Sequence, residues 1–123
     1  MTIIEAINRI DAQKPNNYTQ PEKIKWLSAL DGIIKLEIID KYEGVEEEGF
    51  AEYTEDTPLT TELLVPAPFD DIYILFLESR IHYANEEYGK YNNATAEYNA
   101  AYTRFANHYN RTHMPKGKKF KYF

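Results

Sequence analysis

Glu46, Glu47 and Glu48 stand in a row, and His108 and His113 stand five residues apart. These are the residues whose types lend themselves to acid–base work or to metal ligation. A carboxylate that moves protons near neutral pH needs burial or a charged neighbour to tune it. The three glutamates sit instead between Gly44 and Gly49, in a stretch from Glu43 to Asp56 with seven acids and no base. That pattern reads as a solvated acidic loop. A zinc site needs a third and fourth ligand, and the two histidines have no carboxylate at ligand spacing and no second pair. His82 is alone and reads as a helix-surface or interface residue. The chain has no nucleophile elbow, no phosphate-binding glycine loop and no paired-histidine zinc motif. With no cysteine, thiol chemistry and disulfides are excluded. The reading is a protein without catalysis, with no cofactor and no metal.

The elements that would carry any site are helical. Thr2-Ile3-Ile4-Glu5 has the form of a capping box, and Ile3, Ile4, Ile7 and Ile10 then share a face. Pro15, Asn16 and Asn17 end this helix. A second begins at Pro21, capped by Thr19 or Gln20, and carries Ile24, Leu27, Leu30, Ile34 and Ile38 at three- and four-residue steps. Trp26, Ile33 and Ile39 broaden its stripe. Gly32 in its middle permits a close approach by neighbouring backbone. "GFAEY" and "TELLV" alternate weakly and allow a short β-hairpin between 43 and 65. Asp70 and Asp71 suit the first turn of a third helix. Ile74, Leu77, Ile81, Ala84, Tyr88 and Tyr91 then form a four–three seam, which Thr95, Tyr98, Tyr102, Phe105 and Tyr109 continue. Gly89, Asn92 and Asn93 interrupt it, and an asparagine there is a ready N-cap for a separate helix. The expected fold class is all-α: a small bundle of about four helices near 2–13, 21–42, 68–90 and 93–112, ending in a long helical hairpin or one long helix. Residues 1–115 form one domain, with a flexible arm over 116–123. Trp26, Leu27, Leu30, Ile34, Ile74, Leu77 and Ile81 are expected inside.

Composition narrows the function. The chain of 123 residues carries a net charge of −6, which disfavours a general nucleic-acid binder. The N-terminal segment has no basic n-region, and no run of eighteen apolar residues exists, so neither a secretory signal nor a membrane span is expected. Tyrosine is abundant, with eleven copies, five of them between Glu86 and His113 beside many asparagines. As a base-stacking platform this segment lacks interleaved cations. As a core it packs helix on helix, chiefly through Tyr88, Tyr91, Tyr98 and Tyr102. As an interface it supplies contact area together with hydrogen bonds. Tyr83, Asn99 and Asn107 lie off the seam and are interface candidates. So are Lys118, Phe120, Tyr122 and Phe123 in the basic-aromatic arm.

Three stretches carry a resemblance. They are Pro66-Ala67-Pro68-Phe69-Asp70, Glu87-Tyr88-Gly89-Lys90-Tyr91-Asn92-Asn93, and Ala106-Asn107-His108-Tyr109-Asn110-Arg111-Thr112-His113. Together they resemble the head–tail connector (head-completion, or adaptor) proteins of tailed phages and prophages. Residues 63–115 carry the likeness best. The family pattern has a glycine before the glutamate of its "GEY" motif, and this chain has Glu86 there. The resemblance implies a virion structural protein made in the bacterial cytoplasm and placed at the neck. It implies a homo-oligomeric ring between portal and tail proteins, through which DNA passes without specific binding. Under it Glu46, Glu47 and Glu48 become candidates to face the channel. The alternative is a stand-alone helical adaptor or regulator bound to one cellular partner.

Overall fold

The computed structural model describes residues 1–42 and 49–114. Glu46, Glu47 and Glu48, and the arm with Lys118, Phe120, Tyr122 and Phe123, lie outside the described residues. The described residues form an all-α protein of four helices. Helix α1 spans Ile3–Gln13, α2 Gln20–Glu37, α3 Asp71–Ala84 and α4 Tyr88–Thr112.

Local sequence sets both early helix starts. The Thr2 hydroxyl accepts from the Glu5 amide at 3.2 Å, and the Glu5 carboxylate accepts from the Thr2 amide at 3.0 Å. The next free donors of α1 go to distant carbonyls: Ile3 N–H to Thr61 and Ile4 N–H to Leu59. Helix α2 is capped by Thr19, with Pro21 in its first turn. It ends earlier than the apolar spacing implies. After Glu37 the chain tightens into a 3-10 turn over Ile39–Lys41.

Helix α3 is the centre of the bundle and packs against α1, α2 and α4. The N-terminus lies beside Asp70 and Lys14 beside Glu78, so α1 runs alongside α3 in the same direction. Tyr18 meets Asn85 while Tyr102 meets Glu37, so α2 and α4 run the opposite way. The core holds Ile3, Ile7 and Ile10 of α1; Leu27, Leu30 and Ile34 of α2; and Ile72, Tyr73, Leu77 and Ile81 of α3. Trp26, expected inside, is only half-buried and packs edge-on against Tyr18. Ile33 is exposed, as is Leu36.

Two expectations about the long seam change. The break between α3 and α4 falls at Asn85–Glu87, and Gly89, Asn92 and Asn93 lie within α4. Glu86 makes the turn with φ of 61°, the left-handed region that glycine enters without cost. Glu87 is the N-cap residue, and its side chain makes no cap bond. The seam therefore folds back on itself as a hairpin. On α4 its inner row is Ala94, Ala101 and Phe105: the two alanines let the backbones approach, and the Phe105 ring fills the core. Tyr98 and Tyr102 pack at its edge half-buried, and Tyr88 is 56% exposed.

Among the described residues of the 43–65 stretch there is no β-hairpin. The segment's described residues pair with the start of α1, through an isolated bridge between Thr2 and Glu62, and not with a second strand. It is fixed to the bundle by side chains. Leu63 and Val65 enter the core. Asp31, wholly buried on α2, accepts from the hydroxyls of Tyr53 and Tyr73 at 2.6 Å each and from the Leu64 amide at 3.1 Å. The Tyr73 oxygen in turn accepts from the Val65 amide at 2.7 Å. Gly32 faces the Phe50 ring, which an added Cβ would meet at 3.4 Å, so the neighbour there is a side chain and not backbone.

Candidate functional site: an arginine among tyrosines at the helical hairpin

The α3–α4 turn is built by polar groups of its own. The Glu87 carboxylate accepts from Asn85 Nδ2 at 3.2 Å and from Lys90 Nζ at 3.1 Å, and its Oε1 lies 3.2 Å from His82 Nδ1. These bonds, that of His82 foremost, hold the Glu87 pKa down at about 2. On its other nitrogen His82 lies 3.5 Å from Glu78. His82 was expected on the surface or at an interface; it is buried between two carboxylates and clamps the turn.

Beside this turn stands Arg80. Its guanidinium carbon lies 5.6 Å from the Phe76 ring centre, 5.2 Å from that of Tyr83 and 5.5 Å from that of Tyr91. Such contacts fix an arginine while leaving its charge unneutralised. Nη2 donates to the Tyr91 hydroxyl at 3.3 Å, and Nε is enclosed with no hydrogen-bond partner. Arg80 makes no ion pair among the described residues, although the chain is acidic. The rings continue outward. Tyr83 lies 5.2 Å from Tyr91 and 6.2 Å from Tyr88, and Tyr83 is 53% exposed. Along α4, Phe76 packs on Tyr98, and Tyr98 on Tyr102, whose hydroxyl donates to Glu37 at 2.7 Å. Burial, and then the Glu37 charge, pushes the Tyr98 pKa up to about 12, with Arg80 opposing.

Of the interface candidates, Tyr83 belongs to this patch. Asn99 and Asn107 are exposed farther along α4 and are not joined to it; Asn99 is eight residues beyond Tyr91, about 12 Å along the helix axis. His108 packs against Phe69 at 4.7 Å, and His113 stacks on Tyr109 at 3.7 Å. Both histidines serve as aromatic surface, and no group of three or more His, Asp or Glu among the described residues is placed to hold a metal.

A second feature is a shallow groove of about 390 Å³ on the outer face of α2. Ala29, Gly32, Ile33 and Leu36 line one side and Phe50 and Tyr53 the other. Sequence reasoning missed two buried charges, Asp31 and Lys23. Asp31 interrupts the apolar row of α2 one turn after Leu27, and that interruption is the signal for a buried acid. Lys23 pairs with Asp11 at 2.6 Å, twelve residues away, with no local signal.

What the geometry defines is an all-α protein with one arginine-centred aromatic patch at a hairpin tip. No described helix is long and apolar enough to cross a membrane. The chain matches no protein-family model, no curated protein and no solved structure.

Proposed function

We propose that the protein is a non-catalytic structural component of a phage or prophage virion, a head–tail connector that forms a ring between portal and tail. The observation that carries the reading furthest is the surface of α4. Of its 25 residues only Ala94, Ala101 and Phe105 are buried. A helix this long that gives its own core so little leaves a broad asparagine-rich face for partners, with Tyr88 exposed at its start. A ring subunit needs two different faces, one for each neighbour. The Arg80 patch and the α2 groove are two such faces on one small body.

The resemblance in the three stretches at 66–70, 87–93 and 106–113 supports the same reading. Position 86, where the family pattern has glycine, carries the φ that glycine prefers. The acidic balance suits a wall past which DNA slides, since such a wall must not grip phosphates. Glu46, Glu47 and Glu48 are the proposed channel-facing acids. The arm with Lys118, Phe120, Tyr122 and Phe123 is the proposed contact to the portal or next tail protein, its rings entering pockets while its lysines meet acids at the rim.

The test is co-expression with the portal protein of the phage or prophage in which the chain is encoded. Co-purification of a ring on the portal, seen by electron microscopy, is the expected result. Changing Phe120 and Phe123 together to alanine should abolish that attachment without altering the melting temperature. A chain that ignores the portal and instead binds one cellular protein as a monomer or dimer returns the stand-alone adaptor reading.

A further inference from the structure

Two surfaces of this chain complement each other and cannot meet within one copy. Arg80 is a cation in no ion pair among the described residues, and it is held among Phe76, Tyr83 and Tyr91. Glu55 and Asp56 are neighbouring acids, both exposed and in no ion pair among the described residues. They sit on a turn that is already formed. The Thr57 amide donates to the Thr54 carbonyl at 3.1 Å, the Thr54 amide to the Thr57 hydroxyl at 2.8 Å, and the Asp56 amide to the Thr54 hydroxyl at 3.2 Å. A turn of this kind gives up little freedom on binding.

Helix α2 separates the two surfaces. Tyr53, at the base of the turn, is bonded to Ser28 and Asp31 on one flank of α2. Glu37, on the opposite flank, is bonded to Tyr102, which lies in the row of rings leading from the Arg80 patch. At 100° per residue, Ser28 and Asp31 project to one side of the α2 core row, and Trp26, Ile33 and Glu37 to the other. An acidic turn on one flank and a caged arginine on the other is the layout of a head-to-tail contact between copies.

We infer that the Arg80–Tyr83–Tyr91 patch receives the acidic turn Thr54–Thr57 of a second copy of this chain. Glu55 and Asp56 supply carboxylates to the guanidinium, and the exposed rings of Tyr83 and Tyr88 cover the apolar part of the turn. Arginine and tyrosine are the residue types that dominate such contacts when water is excluded around them. Because the two faces differ, the contact repeats from copy to copy, and it closes when the rotation between copies allows. The inference rests on the connector reading for its ring and names the surfaces that would build it.

The full-length chain should self-associate in a concentration- and salt-dependent way, read by analytical ultracentrifugation. Arg80→Glu should weaken association at least about tenfold, and so should Glu55→Arg with Asp56→Arg. Mixing the two reversed chains should restore association with the two variants alternating, because each then finds a complementary surface only on the other. The chain has no cysteine, so Tyr83→Cys in one copy and Glu55→Cys in another should yield a mixed disulfide on oxidation. The acid-side variants lie on an exposed turn and keep the test valid if Arg80→Glu fails to fold. Unaltered association of the Glu55→Arg, Asp56→Arg chain overturns this contact and leaves the connector reading standing. So does a wild-type chain that is monomeric alone, gives no mixed disulfide, and still joins the portal. A chain that associates through these residues yet never joins a portal overturns the connector reading and keeps this contact.

Discussion

The hydroxyl of Tyr73 on α3 lies 2.6 Å from Oδ1 of Asp31 on α2, and both side chains are wholly buried. The same hydroxyl oxygen accepts from the Val65 amide. One phenol thus joins two helices and the connector. Tyr73→Phe keeps the ring but leaves the Val65 N–H unpaired and the Asp31 carboxylate short of a donor. It should cost about 1–3 kcal/mol in urea unfolding. A loss below about half a unit would show that water replaces the hydroxyl.

Asp31 also sets part of the pH dependence. Burial raises its pKa above the ordinary aspartate value, with the Tyr53 and Tyr73 hydrogen bonds opposing. The folded state therefore holds the Asp31 proton more tightly than the unfolded chain does. The stability this confers is full below the ordinary aspartate range and is lost as pH rises through the raised value. Asp31→Asn should remove that slope. It should also lower stability overall, because an amide nitrogen must face either the Leu64 N–H or a tyrosine hydroxyl that now donates. Urea midpoints across the acid range, compared between wild type and variant, check both.

Glu87 acts with the opposite sign. Its pKa is lowered to about 2 from 4.5, first by His82 and then by Lys90 and Asn85. Its contribution is present above the ordinary glutamate value and is lost as pH falls through about 2. Carbon-detected NMR titration of the Glu87 carboxylate should show this low midpoint in wild type. His82→Gln should move it upward.

Glu86 holds a left-handed backbone that costs an ordinary residue about 1–2 kcal/mol. Glu86→Gly should therefore stabilise the hairpin by about 0.5–1 kcal/mol after the added freedom of the unfolded glycine. A raised melting temperature checks it, and a lowered one would mean that the Glu86 side chain contributes more than the strain costs.

Leu30 and Leu77 are wholly buried on α2 and α3. Alanine at either should cost about 2–5 kcal/mol, as lost transfer energy plus a cavity. Gly32→Ala should go the other way. The added Cβ meets only the Phe50 ring at 3.4 Å, and the gain in helix propensity is about 1 kcal/mol.

The all-α class and the four helices were legible because a helix announces itself in a window of a few turns. The Thr2–Glu5 box, the Thr19 cap with Pro21, and the rows of Ile24, Leu27, Leu30 and Ile34 are local chemistry. For the C-terminal seam the sequence allowed two helices or one long one, and the fold has two. Tertiary structure decided where they part: Gly89, Asn92 and Asn93 are poor helix formers, yet packing of Ala94 against α3 holds them in α4, and the turn falls at Glu86 instead. It also decided which charges are buried. Asp31 finds Tyr53, Leu64 and Tyr73, and Arg80 finds Tyr91, across separations that no periodicity encodes. A propensity is a property of neighbours along the chain, whereas a satisfied buried carboxylate or a caged guanidinium is a property of groups that only the folded bundle brings together.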